Sequence, residues 1–147
     1  MNRKPSITIV EHDPMLSLLL LEVLSDAGYA TELWTECGGA IEFIRRTQPD
    51  LVILDLWLRH RGDGWEVFDQ LKRDPATCQI PIILCTDDTL LLQMGRARLG
   101  GRPAAVLAKP FEIDLLLALV AEALTLGVNR SQRVKSHAER PALQPGN

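Results

Sequence analysis

Residues 51–54 read Leu51, Val52, Ile53, Leu54: four branched apolar side chains in succession, without alternation, closed by Asp55. A strand with one wet face alternates apolar and polar residues. An unbroken run instead suits a strand covered on both faces, as in a parallel sheet with helices above and below. Pro49 and Asp50 supply a turn that leads into it. In an open parallel sheet the ligand crevice borders the carboxyl ends of the strands. Asp55 therefore stands where an acid can do chemistry, or where one merely begins a turn. The rest of the chain decides between the two.

Strand-like and helix-like segments alternate from the start. Residues 7–10 are a β-branched run ending at Glu11, His12, Asp13 and Pro14. Asp13 suits an N-cap and Pro14 the first helical position, so a leucine-rich helix is expected over 15–27, stopped by Gly28. A strand is expected over 29–34, a helix over 36–47, the central strand over 51–55 and a helix over 65–73, broken by Pro75. A fourth strand follows over 80–85, with Pro81 near its beginning. A helix capped by Asp87 or Asp88 should reach about residue 99, followed by a short strand over 104–107 and a final helix over 111–126. Five βα units with right-handed crossovers make a doubly wound α/β fold: a parallel sheet with helices on both faces.

The 147 residues suffice for one domain with its own core. Apolar runs are too short for a membrane span, and the N-terminus lacks a signal-peptide core, so a cytoplasmic location without membrane insertion is expected. Cys37, Cys78 and Cys85 are odd in number and lack metal-ligand spacing, and read as reduced thiols. The net charge of −3 hides an asymmetry: residues 1–127 carry 12 basic and 18 acidic groups, residues 128–147 four basic and one acidic. The expected division is a domain over 1–127 and a disordered basic tail over 128–147. No DNA-binding domain is read in the chain.

The carboxyl strand ends carry Glu11-His12, Asp55, Thr86-Asp87 and Lys109-Pro110. Acids, a hydroxyl and an ammonium on one rim suit phosphoryl transfer to a carboxylate. Asp55 would be the nucleophile, neighbouring acids would hold a divalent cation, and Lys109 and Thr86 would hold the phosphoryl oxygens.

In these pieces, together with Gly62-Asp63-Gly64, residues 81–86 and Lys109-Pro110-Phe111, the chain resembles the receiver domain of two-component response regulators over residues 6–126. The resemblance implies a flavodoxin-like, CheY-like three-layer sandwich with a five-stranded parallel sheet in order 2-1-3-4-5. It implies Asp55 as phosphoacceptor with Lys109 and Thr86 beside it, and a sensor histidine kinase as donor. Mg²⁺ is the implied cofactor, on Glu11, His12, Asp55 and the backbone carbonyl of Trp57. The Lys109–Pro110 peptide bond is implied to be cis.

The chain departs from that family at four places. His12 stands where a second acid is usual, and imidazole is a poor ligand for Mg²⁺. Asp87 stands where the family has a small residue, and either returns a carboxylate to the pocket or caps the next helix. Val106 replaces the aromatic that many receivers place three residues before the lysine. The 57–64 loop is one residue longer than the common pattern, with Trp57 expected at the pocket mouth and His60 in solvent.

The leading reading is a stand-alone receiver, phosphorylated on Asp55 and acting through contacts with a downstream protein, catalysing only its own phosphoryl transfer and dephosphorylation. The alternative is a pseudo-receiver, an interaction module that has lost phosphorylation. In the final helix Ile113, Leu116, Leu117, Val120 and Leu124 form a core stripe, while Leu115, Leu119 and Leu126 lie opposite. Receivers often pair through their fourth and fifth helices, so the resemblance implies a homodimer through that face, which would bury the second stripe against its own copy.

Overall fold

The computed structural model describes residues 3–90, 93 and 103–138, with side chains as far as Gly127. Strands β1 (Ser6–Val10), β2 (Ala30–Trp34), β3 (Leu51–Asp55), β4 (Ile82–Thr86) and β5 (Ala105–Ala108) form one sheet in the order β2-β1-β3-β4-β5. Every pairing is parallel. Around it lie α1 (Pro14–Asp26), α2 (Ala40–Thr47), α3 (Asp63–Arg73) and α4 (Ile113–Ala138). This is the flavodoxin-like order expected from the sequence.

The central run lacks alternation because it feeds two cores. Val52 and Leu54 pack with Ile44, Val67, Phe68 and Leu71 on the α2–α3 side. Leu51 and Ile53 pack with Leu20, Leu24, Leu116 and Val120 on the α1–α4 side. Strand β4 divides likewise: Ile82 and Leu84 go to the first core, Ile83 and Cys85 to the second. Burying such a side chain contributes about 1.5–3 kcal/mol. A polar residue anywhere in either run would therefore be felt.

Helix α1 starts as expected: the Asp13 carboxylate accepts from the Met15 and Leu16 N–H groups, with Pro14 at the first helical position. Gly28, at φ 98°, follows it. Helix α2 starts at Ala40, not at the expected residue 36. Gly39 sits at φ 80°, the Trp34 indole N–H donates to the Gly38 carbonyl, and a Cβ on Gly39 would lie 2.8 Å from the Trp34 ring. The indole thus packs directly against the turn that precedes α2. Helix α3 begins two residues earlier than expected, at Asp63. In α4, Leu116 and Val120 are buried as expected, but Ile113, at its first turn, is exposed. Leu119 packs against the core, while Leu115 and Leu126 are exposed.

Two expectations fall partly outside the described residues. Helical backbone resumes at Thr89, but most of the helix expected to about residue 99 is not described. The basic tail expected from residue 128 has helical backbone as far as Ala138, an extension of α4. Arg, Gln, Lys and Ala are good helix formers, and adding turns to an existing helix avoids a new nucleation cost. Residues 139–147 lie outside the described residues.

Candidate functional site

Register brings the rim together. Val10 pairs with Leu54, so Glu11 and Asp55 follow side by side on adjacent strands, and the Glu11 N–H continues the ladder to the Trp34 carbonyl. Asp55 pairs with Cys85, and Thr86 with Ala108. Lys109 then donates its backbone N–H to the Thr86 carbonyl. The Lys109–Pro110 bond is cis, as the resemblance implied.

Glu11, Asp55 and Thr86 are buried. The Lys109 ammonium lies 2.9 Å from Glu11 Oε2 and 3.4 Å from Asp55 Oδ2. His12 Nδ1 lies 3.1 Å from the same Asp55 Oδ2 and 3.6 Å from Glu11 Oε1. Two carboxylates are thus faced by an ammonium on one side and an imidazole on the other. Burial pushes the Glu11 carboxyl up to about 7; Asp55 adds to this and Lys109 opposes it. For Lys109, burial works against the charged form, but the hydrogen bond it donates to Glu11 and the charges of Glu11 and Asp55 outweigh it and hold the ammonium above its ordinary range. Beneath them, burial pushes the Cys85 thiol up to about 12, so it stays protonated and inert.

The 57–64 loop frames the opening. Trp57 donates its N–H to Asp55 Oδ1, bridges to Arg61 and leaves its indole partly exposed. Asp63 is the loop's organiser: Oδ1 accepts from Leu58 N–H at 2.7 Å, and Oδ2 from Arg59 and His60 N–H at 2.8 and 2.9 Å. Sequence reasoning missed that role. The available signal was an Asp between two glycines at a helix start, a residue type that readily ties down neighbouring backbone N–H groups. Gly64 lies directly on the end of β3, donating to the Leu56 carbonyl, and a Cβ there would meet Asp55 O at 2.2 Å.

Asp87 is exposed, and among the described residues it is not part of the cluster that Glu11, His12 and Asp55 form. Asp88 takes the capping role, accepting from Leu90 N–H, pairing with Arg61 and donating its own N–H to Thr86 Oγ1. Val106 is half-buried against the α2–α3 core. His60 is exposed, as expected.

Among the described residues, Glu11, His12 and Asp55 bring three ligand atoms within 4.8 Å of one another. The two carboxylates suit a hard divalent cation such as Mg²⁺; the imidazole suits it less well. The set therefore fits a divalent ion, with one nitrogen where Mg²⁺ prefers oxygen.

The receiver-domain profile of response regulators matches residues 7–121, and the chain belongs to that family. It is 34% identical to protein Rrf1 of Nitratidesulfovibrio vulgaris over 118 residues, 80% of this chain and 81% of Rrf1. It is 29% identical to the nitrogen assimilation regulatory protein NtrX of Azorhizobium caulinodans over 95% of this chain, but spans only 31% of NtrX. The receiver domain of sensor histidine kinase PA1611 from Pseudomonas aeruginosa shares the fold, with TM-score 0.73 and 22% identity over 84% of this chain and 99% of that one. That structure has a magnesium ion coordinated in its active-site cleft. The family is one of signalling rather than metabolic catalysis. No helix among the described residues is long and apolar enough to cross a membrane.

Proposed function

We propose that this chain is a stand-alone receiver over residues 1–127, acting in the cytoplasm, in which Asp55 takes a phosphoryl group from a sensor histidine kinase and passes the signal on through protein contacts. The observation that carries this reading is the placement of Asp55 Oδ2 within 3.4 Å of the Lys109 ammonium, at the buried end of the central strand. Rrf1, matched over 81% of its own length, supports the stand-alone part.

In the transfer, an Asp55 carboxylate oxygen forms the new bond to phosphorus as the bond from phosphorus to the donor breaks, and the donor leaves with that electron pair. Lys109 spreads its charge over the arriving phosphoryl oxygens; in the resting site it is held by Glu11, so it is already oriented. Thr86 uses a lone pair on the Asp88 N–H, and its hydroxyl proton is what it offers a phosphoryl oxygen. Asp63 fixes the loop backbone, and the Trp57 N–H fixes one Asp55 oxygen. Glu11, His12, Asp55 and the Trp57 carbonyl would hold the divalent cation, Mg²⁺ in the family's usual case, whose charge screens the phosphoryl oxygens when bound.

The test is intact mass after incubation with a small phosphodonor and Mg²⁺ or Mn²⁺. Wild type should gain one phosphoryl unit and Asp55→Asn none. A wild type that gains nothing with either ion and several donors would overturn the reading in favour of a phosphorylation-independent interaction module.

A further inference from the structure

We propose that His12 turns the rim of Glu11, His12 and Asp55 into a site for a borderline transition ion, of the Co²⁺, Ni²⁺ or Zn²⁺ kind, in preference to Mg²⁺. This deepens the reading of the rim as a divalent-cation site and rests on it.

The placement of the imidazole comes first. His12 is 48% exposed, so its ring had open solvent to turn to, yet Nδ1 faces inward onto both carboxylates. Asp13 holds the backbone that follows by capping α1, while its own N–H donates to Glu11 Oε1. Two ligands about 2.1 Å from one ion are roughly 3.0 Å apart at an octahedral right angle and roughly 3.4 Å apart at a tetrahedral one. The separations from Nδ1, 3.1 Å to Asp55 Oδ2 and 3.6 Å to Glu11 Oε1, lie close to these two values. Nδ1 is within hydrogen-bond reach of Asp55 Oδ2, and Glu11, His12 and Asp55 bring one ligand atom each to within 4.8 Å of one another. With Nδ1 on the ion, the ring proton sits on Nε2.

Selectivity follows from donor chemistry. Mg²⁺ gives up water reluctantly and binds through charge and hard oxygen. Here one carboxylate charge is replaced by a neutral nitrogen donor, and the Lys109 ammonium 2.9 Å from Glu11 offsets part of what remains. Both changes weaken a hard ion. Imidazole nitrogen suits Co²⁺, Ni²⁺ and Zn²⁺, and these ions recover in ligand bonding what the site has lost in charge. A merely solvated His12 would change the affinity for both kinds of ion equally.

The test is titration with Co²⁺ and with Mg²⁺, without phosphodonor, on wild type, His12→Asp, His12→Ala and Asp55→Asn. Trp57 fluorescence and the visible absorption of Co²⁺ report binding and nitrogen coordination. Any oxygen site prefers Co²⁺ to some degree, so the decisive quantity is the ratio of the two affinities. The expected result is a Co²⁺ to Mg²⁺ ratio about 100-fold higher in wild type than in His12→Asp, with Co²⁺ absorption altered in both His12 variants and lost in Asp55→Asn. An equal ratio in wild type and His12→Asp would overturn the proposal, as would Co²⁺ absorption that survives in Asp55→Asn. A wild type with the high ratio that never takes up a phosphoryl group leaves this proposal standing and sinks the phosphoacceptor reading. A phosphorylated protein with an unchanged ratio does the reverse.

Discussion

Gly64 links the fold to the reacting carboxylate more directly than any residue of the rim itself. A Cβ at that position would meet three backbone atoms, Asp55 O at 2.2 Å, Leu56 Cα at 2.5 Å and Leu56 C at 2.9 Å, with no flexible side chain to swing aside. The first contact is roughly 1 Å short of an ordinary one, so in Gly64→Ala either the first turn of α3 lifts off β3 or the end of β3 moves. Forcing a methyl into a packed position costs about 1–3 kcal/mol. Alanine's better helix propensity returns at most about 1 kcal/mol. The net expectation is a loss of about 1–2 kcal/mol, seen as a lower urea midpoint and a thermal midpoint down by about 2–8 °C. The Asp55 carbonyl belongs to the proposed phosphoacceptor, and a misplacement of about 1 Å is enough to slow a positioned reaction by up to ~100-fold. Chemical denaturation and the rate of phosphoryl uptake measure the two effects separately. A Gly64→Ala protein with unchanged midpoints and an unchanged rate would refute the close approach of α3 to β3.

Asp63→Asn should destabilise the protein by about 1–2 kcal/mol near neutral pH, because the backbone N–H groups of Leu58, Arg59 and His60 lose a charged acceptor. Burial pushes the Asp63 carboxyl up, but those three N–H groups, with His60 nearby, outweigh it and hold it below its ordinary value. A depressed carboxyl pKa gives stability that is present above the unfolded-state value of about 3.9 and fades as pH falls below it. Urea midpoints measured from pH 6 to pH 3 should therefore converge for wild type and Asp63→Asn at the acid end, and parallel curves would contradict this. Thr86→Val keeps the shape but leaves the Asp88 N–H without its acceptor, for an expected loss of about 1–2 kcal/mol by chemical denaturation. A homodimer that buries Leu115 of the final helix, α4, should show in sedimentation velocity of wild type and disappear in Leu115→Glu, whereas Leu119 packs against the core and its substitution reports on folding instead. Leu115 is 51% exposed, so it is the more informative of the two positions, and a monomeric wild type would remove the proposal.

What was legible in the sequence was whatever depended on period and order. The unalternating run of β3 foretold a strand buried on both faces, because each residue parity feeds a different core. Asp13-Pro14 foretold the start of α1, because a cap acts through residues two and three positions away. What was not legible depended on contacts between segments. The late start of α2 is set by an indole from β2, and the Asp63 bonds reach back across a loop to Leu58. The first turn of α4 shows the same limit: helical spacing puts Ile113 on the core stripe, but in the structure its side chain is exposed.

The rim itself was legible because it is one-dimensional information. In a parallel sheet all strands run the same way, so the residue that follows each apolar run must arrive at the same edge. Register then decides which of these residues touch. Glu11 and Asp55 come level because Val10 pairs with Leu54, and Lys109 reaches both from the end of β5, two strands from β3 and three from β1. The direction of the His12 ring is a different kind of fact. Sequence places that residue beside the rim, but a half-exposed imidazole has a choice between solvent and carboxylate, and only the structure shows Nδ1 turned to Asp55. At the position where the resemblance implied a second acid, a nitrogen rather than a carboxylate oxygen therefore faces Asp55, and the ratio of Co²⁺ to Mg²⁺ affinity tests whether that nitrogen acts as a ligand.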